Sequence, residues 1–184
     1  MGVKNKATIS SPSFSLGNRV MRLIWSIFYY LLFRPSPTAL FAFRAGLLKL
    51  FGAKIGTNVR IYPSVKVWWP ANLVLKDGAS IGPDANVYNQ GQITIGENTI
   101  ISQLVYLCAS THDYNNPLHP LLLAPIEVGN NVWLCADSYV GPNVKIDDGV
   151  VLGARAVLSK STIASWAVYA GNPAKKIKDR TRFE

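Results

Sequence analysis

From Val128 the chain advances in steps of six: VGNNVW, LCADSY, VGPNVK, IDDGVV, LGARAV and LSKSTI follow one another, and each block opens on an aliphatic residue. The fifth position is Val, Ser, Val, Val, Ala and Thr, and the second is often Gly. The same phase runs upstream in IGTNVR from Ile55, IYPSVK from Ile61 and VWWPAN from Val67. It slips by two residues into LKDGAS from Leu75 and IGPDAN from Ile81, then resumes in IGENTI from Ile95, ISQLVY from Ile101 and LCASTH from Leu107. A period of six matches neither the 3.6 of a helix nor the 2 of a strand. It fits a solenoid in which every block supplies one short strand and one turn. The opening aliphatic residue points inward, the fifth packs beside it, and Gly or a polar residue eases the corner. Three blocks then close one triangular coil, and stacked coils bury continuous aliphatic columns, so the expected fold class is mainly β.

The rhythm fails once. Between His112 and Pro125 it gives way to DYNNPLHPLLLAP, rich in turn residues, and both histidines of the chain lie at this break. Because the phase restarts at Val128, the insertion reads as an excursion loop from an intact coil. Loops on rigid scaffolds are common carriers of function. His112 closes its block, at the point where the chain leaves the wall.

Charge is placed unevenly. Residues 1–76 hold eleven Lys and Arg and no Asp or Glu, 77–144 hold six acids and no Lys or Arg, and from Lys145 there are eight Lys and Arg against four acids. Basic ends around an acidic middle suggest two anionic partners, or a membrane surface and an anionic ligand. No nucleic-acid partner is expected, since no helix-turn-helix, zinc-finger or RNP-like motif accompanies the charge. Cys108 and Cys135 form neither a disulfide framework nor a CxxC pair, which suits a reducing, cytoplasmic setting.

At the N-terminal side, LIWSIFYYLLF (Leu23 to Phe33) is an apolar run of eleven residues, short of the about 20 needed to span a bilayer. It begins late for a signal peptide and lacks a small-residue cleavage site. PTALFAFRAGLLKLF (Pro37 to Phe51) has helical character, with Arg44 and Lys49 on an apolar background. Two readings stand. Either both are helices packed on the main domain, or they rest peripherally on an anionic membrane, with Arg and Lys at headgroup level and Trp25, Tyr29 and Tyr30 at the boundary. The expected organisation is a basic helical segment over 1–52, a solenoid over 53–170 and a basic tail over 171–184 that packs on it.

The IGxxV repeats, STHDY at Ser110 to Tyr114, the run from Ile126 to Ser161 and GNPAKKIK at Gly171 to Lys178 carry a resemblance. Over about Ile55 to Lys178 the chain resembles the hexapeptide-repeat acyltransferases. The nearer likeness is to their maltose and galactoside O-acetyltransferase branch and, within it, to the acetyltransferases of colanic-acid-type exopolysaccharide synthesis. The FxLxxRxxR-like and LLFRPSPTxL stretches point to that subgroup. The resemblance implies a left-handed parallel β-helix, a handedness that spacing cannot reveal because it runs against the usual crossover preference. It implies acetyl-CoA as co-substrate, a saccharide acceptor that can be lipid-linked, and a homotrimer with active sites between subunits.

Acetyl transfer to a sugar hydroxyl needs a base, because an alcohol attacks poorly until its proton leaves, and an imidazole suits that task. By resemblance His112 is the catalytic base, passing the proton to the departing thiolate in a ternary complex while a backbone N–H steadies the oxyanion. Asp113 is the first candidate to orient it, with Glu127 and Asp137 as rivals. Ser110 and Cys108 lie in one extended block with His112 and lack an oxyanion motif, which disfavours a covalent nucleophile. His119 is read as loop packing. The metal-dependent carbonic anhydrases built on this fold use three histidines, and two remain here, so no metal is expected. The resemblance places Trp133 beside the active site, Ala136 and Ala154 against the pantetheine arm, and Ser159 and Lys160 at the family's Ser/Thr-Lys pair. It sets Lys175 and Lys178 at the CoA phosphates. Asn89, Tyr88 and Tyr114 are acceptor candidates. N-acetylation of an amino sugar or an antibiotic, and a non-catalytic membrane-docked scaffold, are the competing functions.

Overall fold

The computed structural model describes residues 14–162 and 164–183. Short parallel strands stack into three faces of a triangular prism, the expected β-helix. The first face runs Lys54–Ile55, Leu73–Leu75, Ile93–Ile95, Ile126–Val128 and Lys145–Ile146. Arg60–Ile61, Ser80–Ile81, Ile100–Ile101, Trp133–Leu134 and Val151–Leu152 build the second; Ala167–Ala170 and Lys175–Asp179 extend it. The third holds Lys66–Val67, Asn86–Tyr88, Tyr106–Cys108, Tyr139–Val140 and Val157–Leu158.

The block-opening residues form the columns. Ile55 pairs with Leu75 and Leu75 with Ile95 on the first face, Ile61 with Ile81 and Ile81 with Ile101 on the second. All six are buried, and their burial is the main stabilising term. Coils early in the chain therefore advance twenty residues, whereas Val128 to Ile146 and Leu134 to Leu152 advance eighteen. Between the first two coils, the extra pair that appears in the sequence as a slip is taken up at the third corner, where Pro70–Asn72 makes a 3-10 turn.

The turns obey a rule the repeat did not display. The fourth residue of block after block has positive φ: Asn58, Asp84, Asn98, Asn131, Asp137 and Asn143 among them. Asn and Asp tolerate this left-handed conformation best. The glycine at the second position answers a different need, close approach of the next coil. A Cβ on Gly82 would stand 2.9 Å from the Gln103 nitrogen, and one on Gly96 would strike the Gly129 carbonyl.

Helix α1 (Leu16–Phe28) continues through a π-helical turn at Tyr29–Phe33, and α2 (Phe41–Leu50) follows. Trp25, Tyr29, Phe33 and Phe51 close the end of the prism as an aromatic cluster. Trp25 donates its indole N–H to the Val67 carbonyl at 2.9 Å. Of the two readings, packing on the prism holds for Arg44, Trp25 and Tyr29, which are buried, while Tyr30 and Lys49 face outward. No helix among the described residues is long and apolar enough to cross a membrane. The tail does more than pack on the solenoid, since Lys175–Asp179 pairs antiparallel with Ala167–Ala170 and widens the second face.

Candidate active site

The excursion is a hairpin. Ser110–His112 pairs antiparallel with Leu121–Leu123, in the register Ser110 to Leu123 and His112 to Leu121, and it leaves the prism at the corner between the third and first faces. This pairing lifts His112 off the wall and leaves it exposed. Across the hairpin, Nδ1 of His112 meets the His119 carbonyl at 2.6 Å. A carbonyl only accepts, so Nδ1 carries the proton and Nε2 keeps the lone pair.

That contact corrects the expected orienter. The Asp113 carboxylate accepts from the Asn115 backbone N–H at 3.0 Å and shapes the turn. Its rivals are engaged as well, Glu127 with Lys145 at 3.8 Å and Asp137 with Arg155 at 3.2 Å. His119 has φ +43°, which aims its carbonyl back at the ring. Its part in the site is a backbone one rather than simple loop packing.

His112 lines a cleft of about 460 Å³ together with Phe14, Arg19, Tyr88, Gln90, Cys108 and Leu121. Arg19 reaches it from α1, and Phe14 from just before that helix. In the sequence these residues stand out only as part of the FxLxxRxxR stretch, and a separation of 93 residues or more hides that they share a cleft with His112. Tyr88 also borders a second cleft of about 260 Å³ with Arg22, Lys66 and Trp68. There the Arg22 guanidinium lies 4.1 Å from the centre of the Trp68 ring.

Among the acceptor candidates, Tyr88 lines the cleft, Tyr114 is exposed on the hairpin turn away from it, and Asn89 is corrected to a structural residue. Asn89 is fully buried: its amide accepts from the Trp69 N–H at 3.1 Å and donates to the Trp69 carbonyl at 2.6 Å. Its neighbour Gln90 faces the cleft instead. Gln90 donates to the Tyr88 hydroxyl at 2.9 Å, and its Oε1 is buried with no partner among the described residues.

The expected cofactor residues separate into two groups. Trp133 is exposed on the second face, its indole N–H donated to Ser102 at 2.9 Å. Ala136 and Ala154 occupy the turns from the second to the third face, and Lys175 and Lys178 project from the added strand of the second face. In a triangular section this face lies opposite the corner that carries His112. Ser159 and Lys160 share the His112 corner, two coils along the axis, about 10 Å at one strand spacing per coil. Burial pushes the Cys135 thiol up, which keeps it protonated and inert.

A triangular β-helix that holds an exposed imidazole on a hairpin at one corner defines a hexapeptide-repeat transferase. The family model "Bacterial transferase hexapeptide (six repeats)" matches residues 125–160. The protein assigned to colanic acid biosynthesis as the acetyltransferase WcaF of Escherichia coli is 44% identical over 168 residues, covering 91% of this chain and 92% of that protein. The galactoside O-acetyltransferase of Escherichia coli is 28% identical over 74% of this chain and 68% of its own length. A solved galactoside acetyltransferase in complex with coenzyme A superposes with a TM-score of 0.83 at 26% identity, over 92% of this chain and 86% of that one. The chain belongs to the hexapeptide-repeat acetyltransferases, in the branch that holds the colanic-acid-type enzymes. It is an acyltransferase.

Proposed function

We propose that the chain is an acetyl-CoA-dependent O-acetyltransferase acting on a sugar hydroxyl of an exopolysaccharide or of its lipid-linked precursor, with His112 as general base. The observation that carries this reading is the 2.6 Å contact from His112 Nδ1 to the His119 carbonyl, which leaves Nε2 with its lone pair beside a cleft that Tyr88 and Gln90 also line. In this reading Gln90 and Tyr88 flank the sugar. Nε2 takes the proton of the attacking hydroxyl and returns it to the thiolate that leaves. Arg19 places a positive charge at the same cleft, which favours an anionic acceptor such as a uronate or a diphosphate-linked sugar.

The co-substrate supplies the acetyl thioester. Residues suited to hold CoA are present: Ala136 and Ala154 leave the backbone of their turns open to a pantetheine arm. Lys175 and Lys178 form no ion pair among the described residues and suit phosphates. Because the second face lies opposite the His112 corner, both halves meet at one site only if neighbouring subunits supply them. This favours the trimer and sets Trp133 of one subunit near His112 of another.

The test is acetyl-CoA consumption against nucleotide sugars, lipid-linked glycans and free saccharides. His112→Ala is expected to lower turnover by about 10² to 10⁴ while unfolding temperature and oligomeric state persist. Initial rates with both substrates varied should intersect, as a ternary complex requires. Full turnover in His112→Ala, or parallel lines, overturns the mechanism.

A further inference from the structure

Helix α1 has two apolar sides. Trp25, Tyr29 and Phe33 turn inward against the prism. The opposite side presents Leu16, Val20, Leu23, Ile27 and Leu31, at steps of four, three, four and four, which trace one stripe along a helix. Leu16, Leu23 and Leu31 are 69%, 63% and 68% exposed. At 1.5 Å per residue the stripe is about 22 Å long. An apolar strip of this extent marks a contact surface.

The charges beside it decide what covers it. Arg19 and Arg34 are polar residues on the stripe's margin and end, and Tyr30 is 64% exposed next to it. Residues 1–76 contain no Asp or Glu. A second copy docked helix against helix would bring the cations Arg19 and Arg34 together, with no carboxylate on the element to answer them. Anionic lipid headgroups answer both cations, while the acyl boundary takes the leucines and the ring of Tyr30 lies at the level where aromatic residues concentrate.

We propose that the outer face of α1 docks the protein on an anionic membrane surface, the helix lying in the plane of the interface. This goes beyond the acetyl-transfer reading and stands independently of it, since it concerns binding and not turnover. It has a consequence for the site all the same. Arg19 belongs both to α1 and to the His112 cleft, so docking brings the mouth of that cleft close to the lipid surface.

The test is flotation of the full chain with vesicles of phosphatidylcholine alone and of phosphatidylcholine with phosphatidylglycerol. The expected result is at least about tenfold more bound protein on the anionic vesicles, falling to background in the double variant Leu23→Glu, Ile27→Glu. Circular dichroism and unfolding temperature establish that the variant is folded; should the glutamates prevent folding, Leu23→Ser with Ile27→Ser replaces them. Wild-type protein that stays at the bottom of the gradient overturns the proposal, as does a folded variant that floats like wild type. A wild-type oligomer that the double variant dissociates, with no flotation of either, overturns it in favour of a second copy.

Discussion

Nδ1 of His112 donates to the main-chain carbonyl of His119 at 2.6 Å, so the backbone of one histidine sets the tautomer of the other. The carbonyl is aimed by the left-handed φ of +43° at His119 and not by its side chain. His119→Asn, which tolerates that conformation, is therefore expected to keep kcat within about threefold. His119→Val, whose branched side chain resists it, is expected to lose about tenfold or more through misplacement of the ring. Steady-state kcat measured beside unfolding temperature checks the pair. Equal loss in both variants would mean that the His119 imidazole itself takes part.

Asn89 and Gln90 are adjacent and differ in role. Removing the Asn89 amide leaves the N–H and carbonyl of Trp69 unpaired, so Asn89→Ala is expected to cost about 2 kcal/mol of stability, with acceptor KM unchanged in the folded fraction. Gln90→Leu removes the amide that lines the cleft and its bond to the Tyr88 hydroxyl, and it is expected to raise acceptor KM by about tenfold with little change in the KM for acetyl-CoA. Thermal unfolding and acceptor titration separate the two. A KM defect in Asn89→Ala with intact stability would reverse the assignment.

These two residues also show where sequence reasoning reaches and where it stops. The columns through Ile61, Ile81 and Ile101 are legible because every inward position must be aliphatic, and the break after His112 is legible because a strict period makes an insertion visible. Asn89 against Gln90 is not, because at a corner of the prism one step along the chain turns a side chain from cleft to interior. The orienting group of His112 is a carbonyl, which any residue carries, so no side-chain signal exists for it. Arg19 meets His112 only through the folding of α1 onto the third face, a contact of long sequence separation. The burial of Arg44 is hidden for a similar reason, since three of its four partners are carbonyls.

Tyr139 predicts an alkaline limit to stability. Burial first, then a hydrogen bond with Cys108, raises its phenol from 10.0 to about 12. The neutral form is thus the one the fold favours, and the contribution is complete below pH 10.0 and is lost as pH rises through about 12. The group is only partly buried, so solvent screening reduces the expected contribution to about 1 kcal/mol. Denaturant midpoints measured from neutral pH upward should decline over this window in wild type and decline less in Tyr139→Phe. An identical decline in both would place the alkaline sensitivity elsewhere.

Arg44 predicts how the helical segment is fastened to the prism. Its buried guanidinium donates from Nε to the Ile61 carbonyl at 2.6 Å, from Nη1 to Ser36 Oγ and the Pro37 carbonyl at 2.8 Å each, and from Nη2 to the Thr38 carbonyl. One planar fork thus ties the link between the helices to the first coil, over the ring of Phe41 at 5.1 Å. Arg44→Met leaves the buried Ile61 carbonyl and Ser36 hydroxyl without this donor and is expected to cost about 3 kcal/mol. Arg44→Lys offers three donors from a single point and cannot span the set, so it should recover less than half of the loss. Hydrogen exchange should quicken in residues 34–50 of both variants while the coils beyond Val128 keep wild-type protection. Uniform loss of protection along the whole solenoid would mean instead that the helical segment and the coils unfold as one unit.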